Sequence, residues 1–157
     1  MEVSESMAKS PPGKKPTSPL TNTSFEIERK FLVDKFPEGF ERFPSKEMFQ
    51  GYLAVTRDGT EVRIRKQGSK CSLAVKHGSG KTRVEEEIEI GERQFASLWE
   101  LTGRKRVTKR RYRISHGDMS IDLDVYQEKL EGLITAEVEF PSEGDSDAFR
   151  PPEYGKR

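Results

Sequence analysis

The stretch Phe25-Glu26-Ile27-Glu28-Arg29-Lys30-Phe31 carries Glu, Glu and Lys at its even positions, with Phe25, Ile27 and Phe31 among the odd ones. Side chains alternate across a strand with a period of two, so the stretch reads as a strand with one charged face and one largely apolar face. The alternation returns in Val62-Arg63-Ile64-Arg65, Leu73-Ala74-Val75-Lys76 and Arg83-Val84-Glu85-Glu86-Glu87-Ile88-Glu89-Ile90. It returns again in Lys109-Arg110-Arg111-Tyr112-Arg113-Ile114, Ile121-Asp122-Leu123-Asp124-Val125 and Glu137-Val138-Glu139-Phe140.

Any one of these strands fits an ordinary sheet whose charged face meets water. The set as a whole points elsewhere. Its charged faces collect ten acids (Glu26, Glu28, Glu61, Glu85, Glu87, Glu89, Asp122, Asp124, Glu137, Glu139) and eight bases (Lys30, Arg63, Arg65, Lys76, Arg83, Lys109, Arg111, Arg113), with almost nothing neutral between them. A sheet closed into a barrel sets the two signs opposite each other around a lumen and turns the apolar faces outward beneath helices. The expected fold is mainly β with flanking helices: an eight-stranded antiparallel closed β-barrel around a charged tunnel. Such a lumen suits a ligand that is itself highly charged and accompanied by cations.

At 157 residues the chain fits one domain. Its 32% hydrophobic content is low beside 35% charged, because charge occupies the strand faces where a core would otherwise lie. Residues 1–24, dominated by Ser, Pro, Lys and Thr, read as a disordered tail, leaving 25–157 as the folded domain. A formal net charge of +1 argues against a general polyanion-binding surface, and no nucleic-acid partner is expected. The lone Cys71 excludes an internal disulfide and suits a reducing compartment. No apolar run approaches a membrane span and the tail has no signal-peptide core, so no membrane partner is expected and the protein is placed in the cytoplasm.

Along the chain, a first strand from Phe25 to Val33 leads into a connection punctuated by Pro37, Gly39 and Pro44, with room for a short helix. A second strand is expected over Gln50 to Val55. Arg57-Asp58-Gly59-Thr60 has the signature of a tight hairpin turn into a strand from Glu61 to Lys66. Strands over Ser72 to Lys76 and Thr82 to Ile90 flank the glycine-rich loop His77-Gly78-Ser79-Gly80-Lys81. After Gly91 the period changes: Phe95, Leu98 and Trp99 fall at helical spacing, and Gly103 supplies a stop. Hairpins resume with Val107 to Ser115, Met119 to Tyr126 and Thr135 to Phe140. The basic run Arg104 to Arg113 resembles a nucleic-acid patch, but alternation turns half of it inward.

The Glu26-x-Glu28-x-Lys30 triplet puts two carboxylates and an ammonium on one strand face, about 7 Å apart along the strand. Two hard oxygen ligands that close can share a divalent cation such as Mg²⁺ or Mn²⁺. Barrel closure would set the last strand near the first, adding Glu137 and Glu139 to the pair. Lys30, Arg63, Arg65, Lys76, Lys109 and Arg111 then form a phosphate cradle, Arg offering bidentate contact and Lys a point charge.

Taken in order, Phe25 to Phe31, Arg63-x-Arg65, Lys76, Arg83-x-Glu85-x-Glu87, Lys109-x-Arg111-Tyr112, Asp122-x-Asp124 and Ala136-Glu137-Val138-Glu139-Phe140 resemble the motif set of the CYTH superfamily, the triphosphate tunnel metalloenzymes. The resemblance spans roughly Phe25 to Tyr154. It implies an eight-stranded barrel whose tunnel binds a triphosphate with Mg²⁺ or Mn²⁺. By the same resemblance, Glu26, Glu28 and Glu139 hold a metal, and Lys30, Arg63, Arg65, Lys76, Lys109 and Arg111 grip phosphate oxygens. Glu85, Glu87, Asp122, Asp124 and Glu137 form a catalytic group that supports a second metal, orients a water or balances the bases.

The family includes triphosphatases of inorganic and organic substrates and adenylate cyclases. Gln50-Gly51-Tyr52-Leu53, Phe95-Ala96-Ser97-Leu98-Trp99 and Leu130-Glu131-Gly132-Leu133 are similar to the bacterial branch acting on inorganic tripolyphosphate. No base-recognition element is evident, which favours a substrate made of phosphate alone. Adenylate cyclase on the same scaffold is the alternative enzyme, and a polyphosphate or nucleotide binding module the non-enzymatic one. Ten acids facing the ligand speak against a simple anion binder, since each would weaken binding. Tyr52 beside Leu53 is read as packing, Phe95 and Trp99 as the cover of the barrel exterior, and a homodimer as compatible with the fold. With no Cys or His partner at ligand spacing, His77 and His116 make no zinc site.

Overall fold

The computed structural model describes residues 23–153 together with 155 and 156. The tail expected over 1–24 therefore lies outside the described residues, except for Thr23 and Ser24, which begin the first strand.

Eight antiparallel strands close on themselves. They are β1 (Thr23–Val33), β2 (Ser45–Val55), β3 (Glu61–Gln67), β4 (Lys70–His77), β5 (Thr82–Ile90), β6 (Arg106–His116), β7 (Met119–Tyr126) and β8 (Ile134–Glu139). Helix α1 (Glu92–Thr102) joins β5 to β6, and a six-residue helix α2 (Glu143–Ala148) precedes the two-residue strand β9 (Gly155–Lys156). Around the barrel the order is β5-β4-β3-β2-β6-β7-β8-β1, and β1 pairs back onto β5 to seal it. The short helix allowed for after β1 is a single 3₁₀ turn at Phe40–Arg42. Among the described residues, no helix is long and apolar enough to cross a membrane.

The apolar faces turn outward, as the alternation requires, and two separate cores cover them. One lies over β1 and β6–β8, where Phe31, Ile121, Leu123 and Val138 are buried beneath Phe40, Phe43 and Phe149. The other lies over β2–β5, where Ile64 and Cys71 pack under Phe95, Leu98 and Trp99 of α1. Burying each large side chain is worth about 1.5–3 kcal/mol, so the stability of the barrel comes from its outside. Gly51 marks how closely α1 sits: a Cβ there would lie 2.6 Å from Thr102 Cγ2 and 3.1 Å from Trp99.

Two expectations need correction. β2 begins at Ser45, five residues before Gln50, because Ser45-Lys46-Glu47-Met48-Phe49 pairs with Thr108 to Tyr112 of β6 although it shows no charge alternation. A second helix, α2, also exists. Its sequence has no apolar period, and it is held by contacts instead: the Ser142 cap accepts from the Asp145 N–H, Lys81 pairs with Asp147, Thr82 donates to Glu143, and Arg29 donates to the carbonyls of Ser146 and Phe149.

Candidate active site

Closure brings the first and last strands together in a defined register. Glu28 lies opposite Glu139, and Lys30 opposite Glu137. The lumen is a cavity of about 620 Å³ lined by seven cationic and six anionic side chains. Of the residues read from the sequence, Glu26, Glu28, Glu139, Lys30, Arg63, Arg65, Lys109, Arg111, Asp122 and Glu137 line it. Lys76, Glu85, Glu87 and Asp124 are not in the lining. They stand behind it.

Asp124 is wholly buried, at 0% exposure. It accepts from Lys109 Nζ at 2.6 Å, from Arg111 Nε at 2.6 Å and from Arg111 Nη2 at 2.7 Å. Arg111 also donates to Glu137 at 2.8 Å and to Asp122 at 3.2 Å. Burial works against the Arg111 charge, but Asp124, Glu137 and Asp122 outweigh it and raise the guanidinium's pKa. Burial likewise opposes ionisation of Glu137, yet Arg111, Lys30 and Lys109 hold its carboxyl at about 2. Lys30 Nζ completes this network, 2.8 Å from Glu137.

Across the tunnel, Lys76 is buried and donates to Glu26 at 2.6 Å, with Glu85 at 3.6 Å. Burial pushes Glu26 upward, but the Lys76 bond and charge, with Arg63, bring it below the ordinary carboxylate value. Arg65 donates to Glu87 at 3.1 Å. Arg63 and Arg83 share a single carboxylate, Glu61, at 3.6 and 3.8 Å, and the buried Nε atom of each has no hydrogen-bond partner.

Glu28 is the outlier. It has no ion pair among the described residues, and burial, then Glu137, then Glu26 push its carboxyl up to about 7. Desolvation and like charge both disfavour ionisation there. A hard divalent cation would relieve both, so Glu26, Glu28 and Glu139 have the oxygen donors and the surplus negative charge that such an ion requires. Among the described residues no three acidic, His or Cys side chains are already gathered around one point.

The lining also holds residues outside the candidate set, among them Gln50, Tyr52, Glu61, Arg83, Arg113 and Tyr126. Tyr52 corrects the packing reading, since it faces the cavity and its hydroxyl accepts from Gln50 Nε2 at 2.7 Å. Strand parity was the available signal: Gln50 and Tyr52 share a face of β2, and register sets Tyr52 beside Arg63 and Gln50 beside Arg65. Arg83 had been counted on a charged face without a role. In the basic run, Lys109, Arg111 and Arg113 point inward, while Arg106 lies over Trp99 at 4.5 Å.

No family model matches the chain. It is 41% identical over 131 residues to an inorganic triphosphatase of Nitrosomonas europaea, covering 82% of this chain and 85% of that protein. It is 30% identical over 132 residues to an inorganic triphosphatase of Acetivibrio thermocellus, covering 82% of this chain and 81% of that one. A solved structure of an inorganic triphosphatase at 39% identity superposes with a TM-score of 0.61 over 84% of each chain.

Proposed function

The chain belongs to the CYTH superfamily, in the family of inorganic triphosphatases, and on that premise we propose that it hydrolyses inorganic tripolyphosphate with a divalent cation inside its tunnel. The observation that carries this reading is the lining itself: seven cations and six acids around about 620 Å³. The bases match a chain of phosphates, and Glu28, which has no ion pair among the described residues, is the acid that a metal accompanying the chain would neutralise.

Glu26, Glu28 and Glu139 would hold Mg²⁺ or Mn²⁺. When bound, the ion supplies charge stabilisation on the phosphate oxygens and a more acidic water. The protein's own share is position and charge. Lys30, Arg63, Arg65, Lys109 and Arg111 grip phosphate oxygens, and phosphoryl transfer needs that charge held on the equatorial oxygens before the barrier is reached. Lys76 has its ammonium committed to Glu26 and fixes that carboxylate, reaching substrate only if the pair opens. Asp124 aims Lys109 and Arg111; Glu85 and Glu87 do the same for Lys76 and Arg65. Asp122 and Glu137, which reach the lumen, would orient the attacking water. Losing one such charge contact costs on the order of 3 kcal/mol in the barrier, about a hundredfold in rate.

The test is phosphate release from tripolyphosphate and from ATP, side by side, with Mg²⁺, with Mn²⁺ and with EDTA. Metal-dependent release from tripolyphosphate well above that from ATP is expected. Cyclic AMP from ATP would replace this reading with the cyclase one, and tight polyphosphate binding without turnover would replace it with a binding module.

A further inference from the structure

β1 changes neighbours along its length. Thr23 to Ile27 pair with β5, and Leu32 and Val33 pair on that same edge with β9. Between them, residues 28–31 keep β8 on one side, while on the other the Glu28 N–H donates to the Lys81 carbonyl at 3.0 Å. A groove of about 580 Å³ opens on the outside at this point. Glu28, Lys30 and Arg83 line both the groove and the tunnel, so three side chains form the partition between them. Lys81 flanks the groove, its ammonium paired with the exposed Asp147.

Arg83 is the unsatisfied member of that partition. It is the first inward-facing cation of β5 after the Gly78–Lys81 loop. The nearest carboxylate, Glu61, is 3.8 Å away and is shared with Arg63. Its buried Nε donates to nothing. Leaving a buried donor unmade is costly, more so for a charged group, and an arriving phosphate oxygen would remove that cost. Arg111, by contrast, donates to three carboxylates.

We propose that Arg83, assisted by Lys81, binds a phosphate beyond the three held in the tunnel, so that linear polyphosphates of four or more units are accepted with the chain end leaving through the groove. This assignment rests on the triphosphatase reading above and extends it to chain length.

The experiment compares steady-state hydrolysis of tripolyphosphate and tetrapolyphosphate by the full chain and its Arg83→Gln, Arg83→Lys and Lys81→Gln variants. Arg83→Gln is expected to raise KM for tetrapolyphosphate about tenfold more than KM for tripolyphosphate. Lys81→Gln should raise the tetrapolyphosphate KM by about threefold, and Arg83→Lys should restore part of the Arg83→Gln loss. Equal changes for both substrates, or none for either, would overturn the assignment. If Arg83→Gln does not fold, Arg83→Lys decides by the same ratio. If the wild-type protein turns over neither substrate, the triphosphatase reading fails, and calorimetric titration then judges the subsite separately. Tighter binding of tetrapolyphosphate that Arg83→Gln abolishes would sustain it, and equal affinity would end it.

Discussion

On the β6–β8 side of the tunnel, Asp124 gives both oxygens to Lys109 and Arg111, and Glu137 is shared by Arg111 and Lys30. On the β1, β3 and β5 side, Glu28 has no ion pair among the described residues, and Arg63 and Arg83 divide Glu61 at 3.6 and 3.8 Å. The first side is a finished network whose acids hold its bases in place. The second keeps charge in reserve, with Glu28 crowded by acids and two guanidinium Nε atoms unmet. A counted charge therefore says little about its role; its partners and burial decide whether it supports the barrel or awaits a ligand.

The sharpest way to break this contrast is to truncate one residue on each side. Asp124→Ala leaves Lys109 and Arg111 as buried charges without their main partner, at an expected cost of about 3–5 kcal/mol. Arg63→Ala removes a cation whose one carboxylate at ion-pair distance, Glu61, is 3.6 Å away, and should change stability by no more than about 1 kcal/mol. Urea midpoints measure both. Similar losses would mean the two sides are equally structural.

The next test uses pH in the cation-free protein. The Glu137 carboxyl sits near 2 against an ordinary 4.5, so its stabilisation is present above pH 4.5 and is lost as pH falls toward 2. Glu28, raised to about 7, has the opposite sign: its contribution is present below pH 4.5 and is lost as pH rises through 7. Allowing for solvent screening in the open lumen, each amounts to on the order of 1–3 kcal/mol. Glu28→Gln should abolish the alkaline loss, leave the acid loss intact, and cut tripolyphosphate hydrolysis about a hundredfold. A mutant with the wild-type alkaline slope, or with more than about a tenth of the activity, contradicts the assignment.

The smallest effect is expected at Arg113, whose exposed side chain pairs with Asp122 at 3.0 Å. Arg113→Ala should cost less than about 0.5 kcal/mol, showing that pairing without burial does not make a finished network.

Strand identity was legible wherever charge alternated, because the lumen demands a charged side chain at every second position. β5 and β7 keep their expected bounds, Thr82–Ile90 and Met119–Tyr126. The start of β2 was hidden because Met48, Gln50 and Tyr52, which share one face of the strand, are neutral, leaving the charge pattern nothing to show there. Helix α2 was hidden because its partners Arg29, Lys81 and Thr82 are distant in sequence. The nearness of the β1 and β8 carboxylates followed from closure alone, without the register that sets Glu28 opposite Glu139. Which acids line the lumen and which stand behind it did not, because parity gives the face of a strand but not the depth of a side chain. Asp122 and Asp124 share a face, yet only Asp122 reaches the cavity.

β1 carries Glu26, Glu28 and Lys30, and it bonds to β5, midway along the chain, and to β8, the barrel strand furthest from it in sequence. Among the described strands it comes first in the chain, and its β8 partner comes last of the eight barrel strands. Residue 28 must wait for residue 139 to emerge before the two can meet. Contacts across such long loops form late and slowly. A nascent or truncated chain can thus possess most of its sheet and no working centre, and recovery of activity on refolding should report the seam rather than the average strand.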